Sequence, residues 1–225
     1  MDAEHCNGCQ RCLADCPYSA IAMVPHPNQR KGRTLAVVDA DLCAACGICA
    51  GACPSSTPFR SVEQLVTGID MPQQPIGALR QDMARRIAAL TGPVKIAVFG
   101  CECAAGAGAV EDQGTAVMNL MCTGLLPPSF VEYALRGGAD GVLVTGCREG
   151  SCAYRFGTQW TEQRLAGKRG LHRDRGGVQV DAVGDHVEAL FLQARVEVAQ
   201  RGRDRRRGHH DLDAARHEAL DEQAT

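Results

Sequence analysis

Cysteine spacing constrains this chain more than any other feature. Cys6-Asn-Gly-Cys9-Gln-Arg-Cys12-Leu-Ala-Asp-Cys16-Pro17 and Cys43-Ala-Ala-Cys46-Gly-Ile-Cys49-Ala-Gly-Ala-Cys53-Pro54 both read C-x2-C-x2-C-x3-C-P. Thiolates three residues apart in a tight loop can reach three corners of one cube-shaped iron–sulfur cluster, in which each iron needs a thiolate. The helix after the loop carries the fourth cysteine away from that cube. Two copies of the run solve the problem jointly, each lending its last cysteine to the other's cluster. Structural zinc prefers two separated C-x2-4-C pairs, so a triplet plus a fourth cysteine before proline, met twice, fits it poorly.

The spacing resembles that of bacterial two-cluster ferredoxins. It assigns one 4Fe–4S cluster to Cys6, Cys9, Cys12 and Cys53, and a second to Cys43, Cys46, Cys49 and Cys16. A small ferredoxin-like α+β domain over residues 1–60 is the expectation. Ala20-Ile-Ala-Met-Val24 and Leu35-Ala-Val-Val38 are strand-like runs flanking a loop rich in Pro, Asn, Lys and Arg. After Pro54 the stretch Ser-Ser-Thr-Pro-Phe59 stands where a ferredoxin resumes an apolar strand, so the second repeat is degenerate past its ligands. His26, between Pro25 and Pro27, reads as loop.

The remaining composition narrows the class. At 225 residues and 45% hydrophobic, the chain can bury one large or two modest cores. A formal charge of −2 offers no basic field for nucleic acid. Thirteen cysteines would read as disulfides in a secreted protein, but eight belong to metal-type runs. No apolar run reaches transmembrane length, and neither an h-region nor a twin-arginine signal opens the chain. A cytoplasmic protein with no direct membrane span is expected.

Residues 61–92 read as a connector with one amphipathic helix, striped by Ile76, Leu79, Met83, Ile87 and Leu90 and stopped at Thr91-Gly92-Pro93. From 93 to 200 strands and helices alternate. Strands are expected at 94–99, 116–121 and 141–145, with a fourth near 178–180. Helices are expected from Pro127-Pro128-Ser129 to Gly137-Gly138, over 154–165, and along Val187, Leu190, Phe191, Ala194 and Val198. Such alternation implies an α/β domain with a mostly parallel sheet covered on both faces. Residues 201–225, with Arg203, Arg205, Arg206 and Arg207, read as a flexible charged tail.

Five further cysteines fall in this second half. Cys101, Cys122 and Cys147 each follow an expected strand, and parallel strands end on one sheet edge, where open α/β folds hold their ligands. Cys152, five residues past Cys147, can fold back to the same edge. The loop between them adds backbone N–H groups at a helix start, which favour anionic thiolates.

The segment resembles the delta subunit of methyl-viologen-reducing hydrogenase. Phe99-Gly-Cys101-Glu-Cys103, Met121-Cys122-Thr-Gly124, Gly138-Ala-Asp-Gly141-Val-Leu-Val, Gly146-Cys147-Arg-Glu-Gly-Ser-Cys152-Ala-Tyr154 and residues 155–164 carry the resemblance. It implies a 2Fe–2S cluster and a role relaying electrons from a hydrogenase or formate dehydrogenase towards a heterodisulfide-reductase-type flavoprotein. A membrane cytochrome is a further candidate partner. Four ligands suffice for 2Fe–2S, and Cys101, Cys122, Cys147 and Cys152 form the preferred set. The family's first pair is usually C-x2-C; here it is Cys101-Glu-Cys103, and the shortened spacing turns Cys103 aside as the spare.

Two rival functions come from other classes. One is an enzyme that reduces disulfides through Cys147 and Cys152; it would need an activating histidine, and nothing in the sequence places His172 or His186 nearby. The other is a zinc-bearing regulatory protein. Gly106-Ala-Gly108 lacks the third glycine and strand-end acid of a dinucleotide site. Glu102 and Glu149 are read as tuning cluster potential or facing solvent. No catalytic residue is assigned, and the expectation is an electron-transfer subunit with no substrate site of its own.

Overall fold

Both cysteine runs build the same local shape in the computed structural model. The structure describes residues 1–28, 34–56, 67–104, 107–148, 150–169, 179–183 and 189–193, the last two stretches by backbone. Helix α1 (Arg11–Asp15) starts after Gln10 at φ 64°, and helix α2 (Ile48–Ala52) after Gly47 at φ 75°. A left-handed residue between the second and third cysteines lets each loop turn sharply into its helix. Strands β1 (Ile21–Pro25) and β2 (Thr34–Val38) pair antiparallel, from Ile21 opposite Val38 to Pro25 opposite Thr34. After Cys53 the chain enters a 3₁₀ turn, Pro54–Ser56; the rest of the degenerate second repeat lies outside the described residues.

The connector helix is α3 (Ile76–Ala89), and Ile76, Leu79, Met83, Ile87 and Leu90 are all buried, as their spacing predicts. Strands β3 (Ile96–Cys101), β4 (Thr115–Leu120) and β5 (Gly141–Thr145) are mutually parallel, with β3 in the centre. Helix α4 (Ser129–Arg136) crosses from β4 to β5 and stops at Gly137. Ala97, Phe99, Ala116, Met118, Val142 and Val144 alternate along their strands and join the stripe of α3 in one core. Val98 and Val117, on the opposite face, are buried too.

Two expectations are corrected. The helix placed at 154–165 begins three residues later, as α5 (Gly157–Leu165), because Arg155 takes φ 66°, which no right-handed helix accommodates. The helix placed along Val187–Val198 is a strand where described: β7 (Ala189–Gln193) pairs antiparallel with β5 and with β6 (Gln179–Val183). Leu190-Phe-Leu192 is a short apolar run compatible with either period, and the open edge of β5 supplies the ladder that decides it. The sheet is therefore mixed, in the order β4-β3-β5-β7-β6. The charged tail lies outside the described residues.

Phe130 anchors α4 to the sheet. It is fully buried, with its ring edge-on to Phe99 at 6.4 Å and to Tyr133 at 5.8 Å. Phe130→Ala is expected to cost about 3–5 kcal/mol, since a large buried ring leaves a cavity the sheet cannot close. A denaturant midpoint close to that of the parent protein would contradict this. Met1–Gln193 form one compact unit, so the ferredoxin-type segment packs against the α/β segment. Among the described residues no helix is long and apolar enough to cross a membrane.

Candidate metal centres

The first cysteine run faces inward around one cavity. Cys6, Cys9 and Cys12 line it together with Cys53 of the other run, against apolar walls that include Met23, Ala36 and Ile69. Burial pushes the Cys12 thiol up to about 11, with neighbouring Cys53, Cys9 and Cys6 adding repulsion. Four converging thiols from two chain segments in an apolar wall suit a thiolate-held cluster.

The second group is Cys43, Cys46, Cys49 and Cys16. Burial pushes the Cys49 thiol up to about 12, and Cys46, Cys12 and Cys16 are the charges it feels. Cys46 is also raised by burial, with Cys16 and Cys43 beside it. Ala20 N donates to Cys16 Sγ at 3.3 Å. Cys12 and Cys49 neighbour one another, so the two groups adjoin. Cys9 and Cys43 are exposed, one at each group.

At the sheet edge, Cys101 ends β3 and its Sγ lies 3.9 Å from Cys147 Sγ, just past β5. Cys122 follows β4, almost fully buried, and its Sγ accepts from Gly124 N at 3.4 Å. Gly157 opens α5 directly beneath Cys122 and Cys152: a Cβ there would lie 2.1 Å from the first sulfur and 3.3 Å from the second. Burial raises the Cys122 thiol pKa strongly, with Cys152 and Cys101 adding to it. Burial also works against the Cys152 thiolate, but the N–H groups of Thr158, Tyr154 and Gly157 outweigh it and its pKa falls below the usual thiol value. Burial raises Cys147, with Cys101 and Cys152 nearby.

These four cysteines therefore meet at one edge. Thr123 and Thr158 turn their buried hydroxyls towards Gly146, next to Cys147; that of Thr123 has no hydrogen-bond partner, and that of Thr158 faces the Cys152 thiol. Buried hydroxyl donors beside four thiols suit a group that carries acceptor sulfur. Cys103 is exposed; its backbone N–H faces the Cys101 thiol, and its own thiol is near enough to add repulsion there. Among the described residues no three Cys, His, Asp or Glu side chains are gathered tightly enough for a single metal ion.

Other sequence-marked residues fall elsewhere. His26 is a buried, satisfied side chain: Asn28 N donates to Nδ1 at 2.9 Å, and Nε2 lies 2.9 Å from Ala3 O. Glu102 is exposed. Glu149, His172 and His186 lie outside the described residues. Sequence reasoning missed Asp15 and Arg164, a buried ion pair with Nη2–Oδ2 at 2.6 Å. No local signal links residues 149 positions apart. It also missed the aromatic surround of Cys46, Ile48 and Cys122 by Tyr18, Tyr154 and Trp160.

Paired cysteine loops beside a parallel sheet edge that collects four more thiols form an arrangement suited to iron–sulfur clusters. Comparison with known proteins gives the families. Residues 5–57 match the 4Fe-4S dicluster domain, and residues 95–176 match the methyl-viologen-reducing hydrogenase, delta subunit. The chain thus joins a 4Fe–4S dicluster domain to a hydrogenase delta-subunit domain.

Its relatives are subunits of larger assemblies. The iron-sulfur subunit of the vhu F420-non-reducing hydrogenase of Methanocaldococcus jannaschii is 31% identical over 78 residues, covering 35% of this chain and 54% of that protein. The iron-sulfur subunit of the vhc F420-non-reducing hydrogenase of Methanococcus voltae is 39% identical over 49 residues, 22% of this chain and 34% of that one. A ferredoxin:CoB-CoM heterodisulfide reductase subunit of Methanosarcina mazei is 47% identical over 49 residues, 22% of this chain but 6% of that protein. The chain thus spans about half or less of each of these relatives. No solved structure matches it.

Proposed function

We propose that this chain is an electron-transfer subunit of an oxidoreductase complex, holding a 2Fe–2S cluster on Cys101, Cys122, Cys147 and Cys152 beside its two 4Fe–4S clusters. The observation that carries the reading is the convergence of those four thiols at one sheet edge, next to Cys46 of the second ferredoxin-type group. In the 4Fe–4S pair, Cys6, Cys9, Cys12 and Cys53 hold one cluster and Cys43, Cys46, Cys49 and Cys16 the other. When bound, each cluster takes up and releases single electrons.

The chain's own residues do the rest. Apolar walls keep water from the buried sulfurs, which sets potential. The backbone N–H groups of Gly157 and Thr158 favour the thiolate form of Cys152. Exposed Cys9 and Cys43 mark edges that a partner can approach. The partners fitting this arrangement are a hydrogenase-, formate-dehydrogenase- or cytochrome-type protein on one side and a heterodisulfide-reductase-type flavoprotein on the other, in keeping with the names of the relatives. We place the chain in the cytoplasm, where cysteines stay available as ligands.

A second reading has one observation in its favour. The lowered pKa of Cys152 is what a disulfide-reducing thiol needs. Metal analysis separates the readings. After anaerobic reconstitution, iron and acid-labile sulfide should each approach about ten per chain, from two cubanes and one 2Fe–2S cluster. Values that plateau at about eight leave the strand-end thiols as a dithiol site. Stoichiometric zinc without labile sulfide overturns the whole reading.

A further inference from the structure

Arg164 sits on α5, yet its guanidinium bonds to other parts of the chain. Nη2 donates to Asp15 Oδ2 at 2.6 Å and to Ile48 O at 3.1 Å; Nη1 donates to Gly124 O at 2.7 Å; Nε donates to Asp15 Oδ2 at 3.2 Å. Each acceptor belongs to a cysteine-bearing segment. Asp15 precedes Cys16, Ile48 lies between Cys46 and Cys49, and Gly124 is the residue whose N–H binds Cys122 Sγ.

The backbones so joined are in contact with no room to spare. A Cβ on Gly51 of α2 would lie 2.2 Å from Gly124 O, and one on Gly124 would lie 2.5 Å from Ile48 Cγ1. Cys46, Ile48 and Cys122 share one buried apolar cluster. Arg169 braces the same carboxylate, its Nε 2.7 Å from Asp15 Oδ1, while its guanidinium lies 4.1 Å over the Trp160 ring.

A buried ion pair is poor evidence for stability, since apolar replacements often do as well, and its best-attested use is fixing one arrangement among several. The fork geometry of arginine, with its several donors in one plane, suits a junction of three segments as lysine does not. We propose that Arg164 is a positioning residue that fixes the gap between the second ferredoxin-type cysteine group and the strand-end cysteine group. It makes Cys16, Cys43, Cys46 and Cys49, rather than the first-run group, the neighbours of the third site. The assignment of clusters to these groups rests on the function proposed above; the clamp between the segments does not.

The test uses the full chain and the variant Arg164→Lys, which keeps a cation for Asp15 but cannot reach Ile48 and Gly124 as well. Hydrogen exchange at residues 48–52 and 123–125 should rise together, roughly tenfold, because the lost bonds involve a charged donor. In reconstituted, reduced protein the EPR spectrum of the parent should show magnetic interaction between the 2Fe–2S cluster and a 4Fe–4S cluster. Arg164→Lys should weaken it while iron and sulfide stay unchanged. Exchange confined to α5, or an interaction equally strong in parent and variant, overturns the proposal. If the parent binds only about eight irons, the third-cluster reading fails by itself and exchange alone decides the clamp. Should Arg164→Lys not fold, Asp15→Asn, which keeps an acceptor oxygen but weakens the pairing, takes its place under the same criteria.

Discussion

Cys53→Ser is expected to destroy the cluster of the first cysteine run, although Cys53 belongs to the second. The side chain lines the cavity of Cys6, Cys9 and Cys12, and serine offers a hard oxygen where the iron requires a thiolate. Iron should fall by about four per chain, with the spectrum of the second-run cluster retained. The reciprocal variant Cys16→Ser should spare the first-run cluster and remove the other, because Cys16 neighbours Cys46 and Cys49. EPR of the two reduced variants decides the matter. A Cys53 variant in which only the second-run signal changes would show that each run holds its own fourth ligand.

The strand-end site should be equally sensitive, and at a residue that carries no sulfur. On the function proposed above, Gly157→Ala is expected to eliminate the signal of the proposed 2Fe–2S cluster as completely as Cys122→Ala, because the new methyl would stand 2.1 Å from Cys122 Sγ. That sulfur is almost fully buried, so it has little room to move away. Cys147→Ala should have the same result. Cys103→Ala should keep the signal, since its side chain is exposed and the hydrogen bond it gives Cys101 comes from a backbone N–H that alanine retains. Loss of the signal in the Cys103 variant with retention in a Cys101 variant would exchange the roles of these two residues.

Periodicity and spacing carried far in this chain where neighbours in sequence are also neighbours in space. The stripe of α3 and the positions of β3, β4 and β5 follow from local pattern, to within two residues at their ends. Placing Cys101, Cys122 and Cys147 on one edge needs only the rule that parallel strands end together. Pattern failed at β7, where Leu190-Phe-Leu192 satisfies a helix or a strand and only the free edge of β5 chooses. It failed again at the start of α5, because the left-handed turn at Arg155 is held by remote partners: Arg155 Nη1 donates to Pro17 O at 2.7 Å, and its guanidinium lies 4.8 Å over Tyr18.

The order of cysteines along the chain was enough by itself to determine the chemistry: two thiolate-held cubes, and a further set of sulfurs at strand ends. Ligand identity is local because iron selects thiolate, and a turn of fixed length can present only certain corners of a cube. Only the tertiary structure decided how the two halves meet. The shared cluster of Cys46, Ile48 and Cys122 and the reach of Arg164 to Asp15 join residues far apart in sequence. Such pairings are selected by shape and by the cost of leaving a buried charge unpaired, and neither leaves a periodic trace in the sequence.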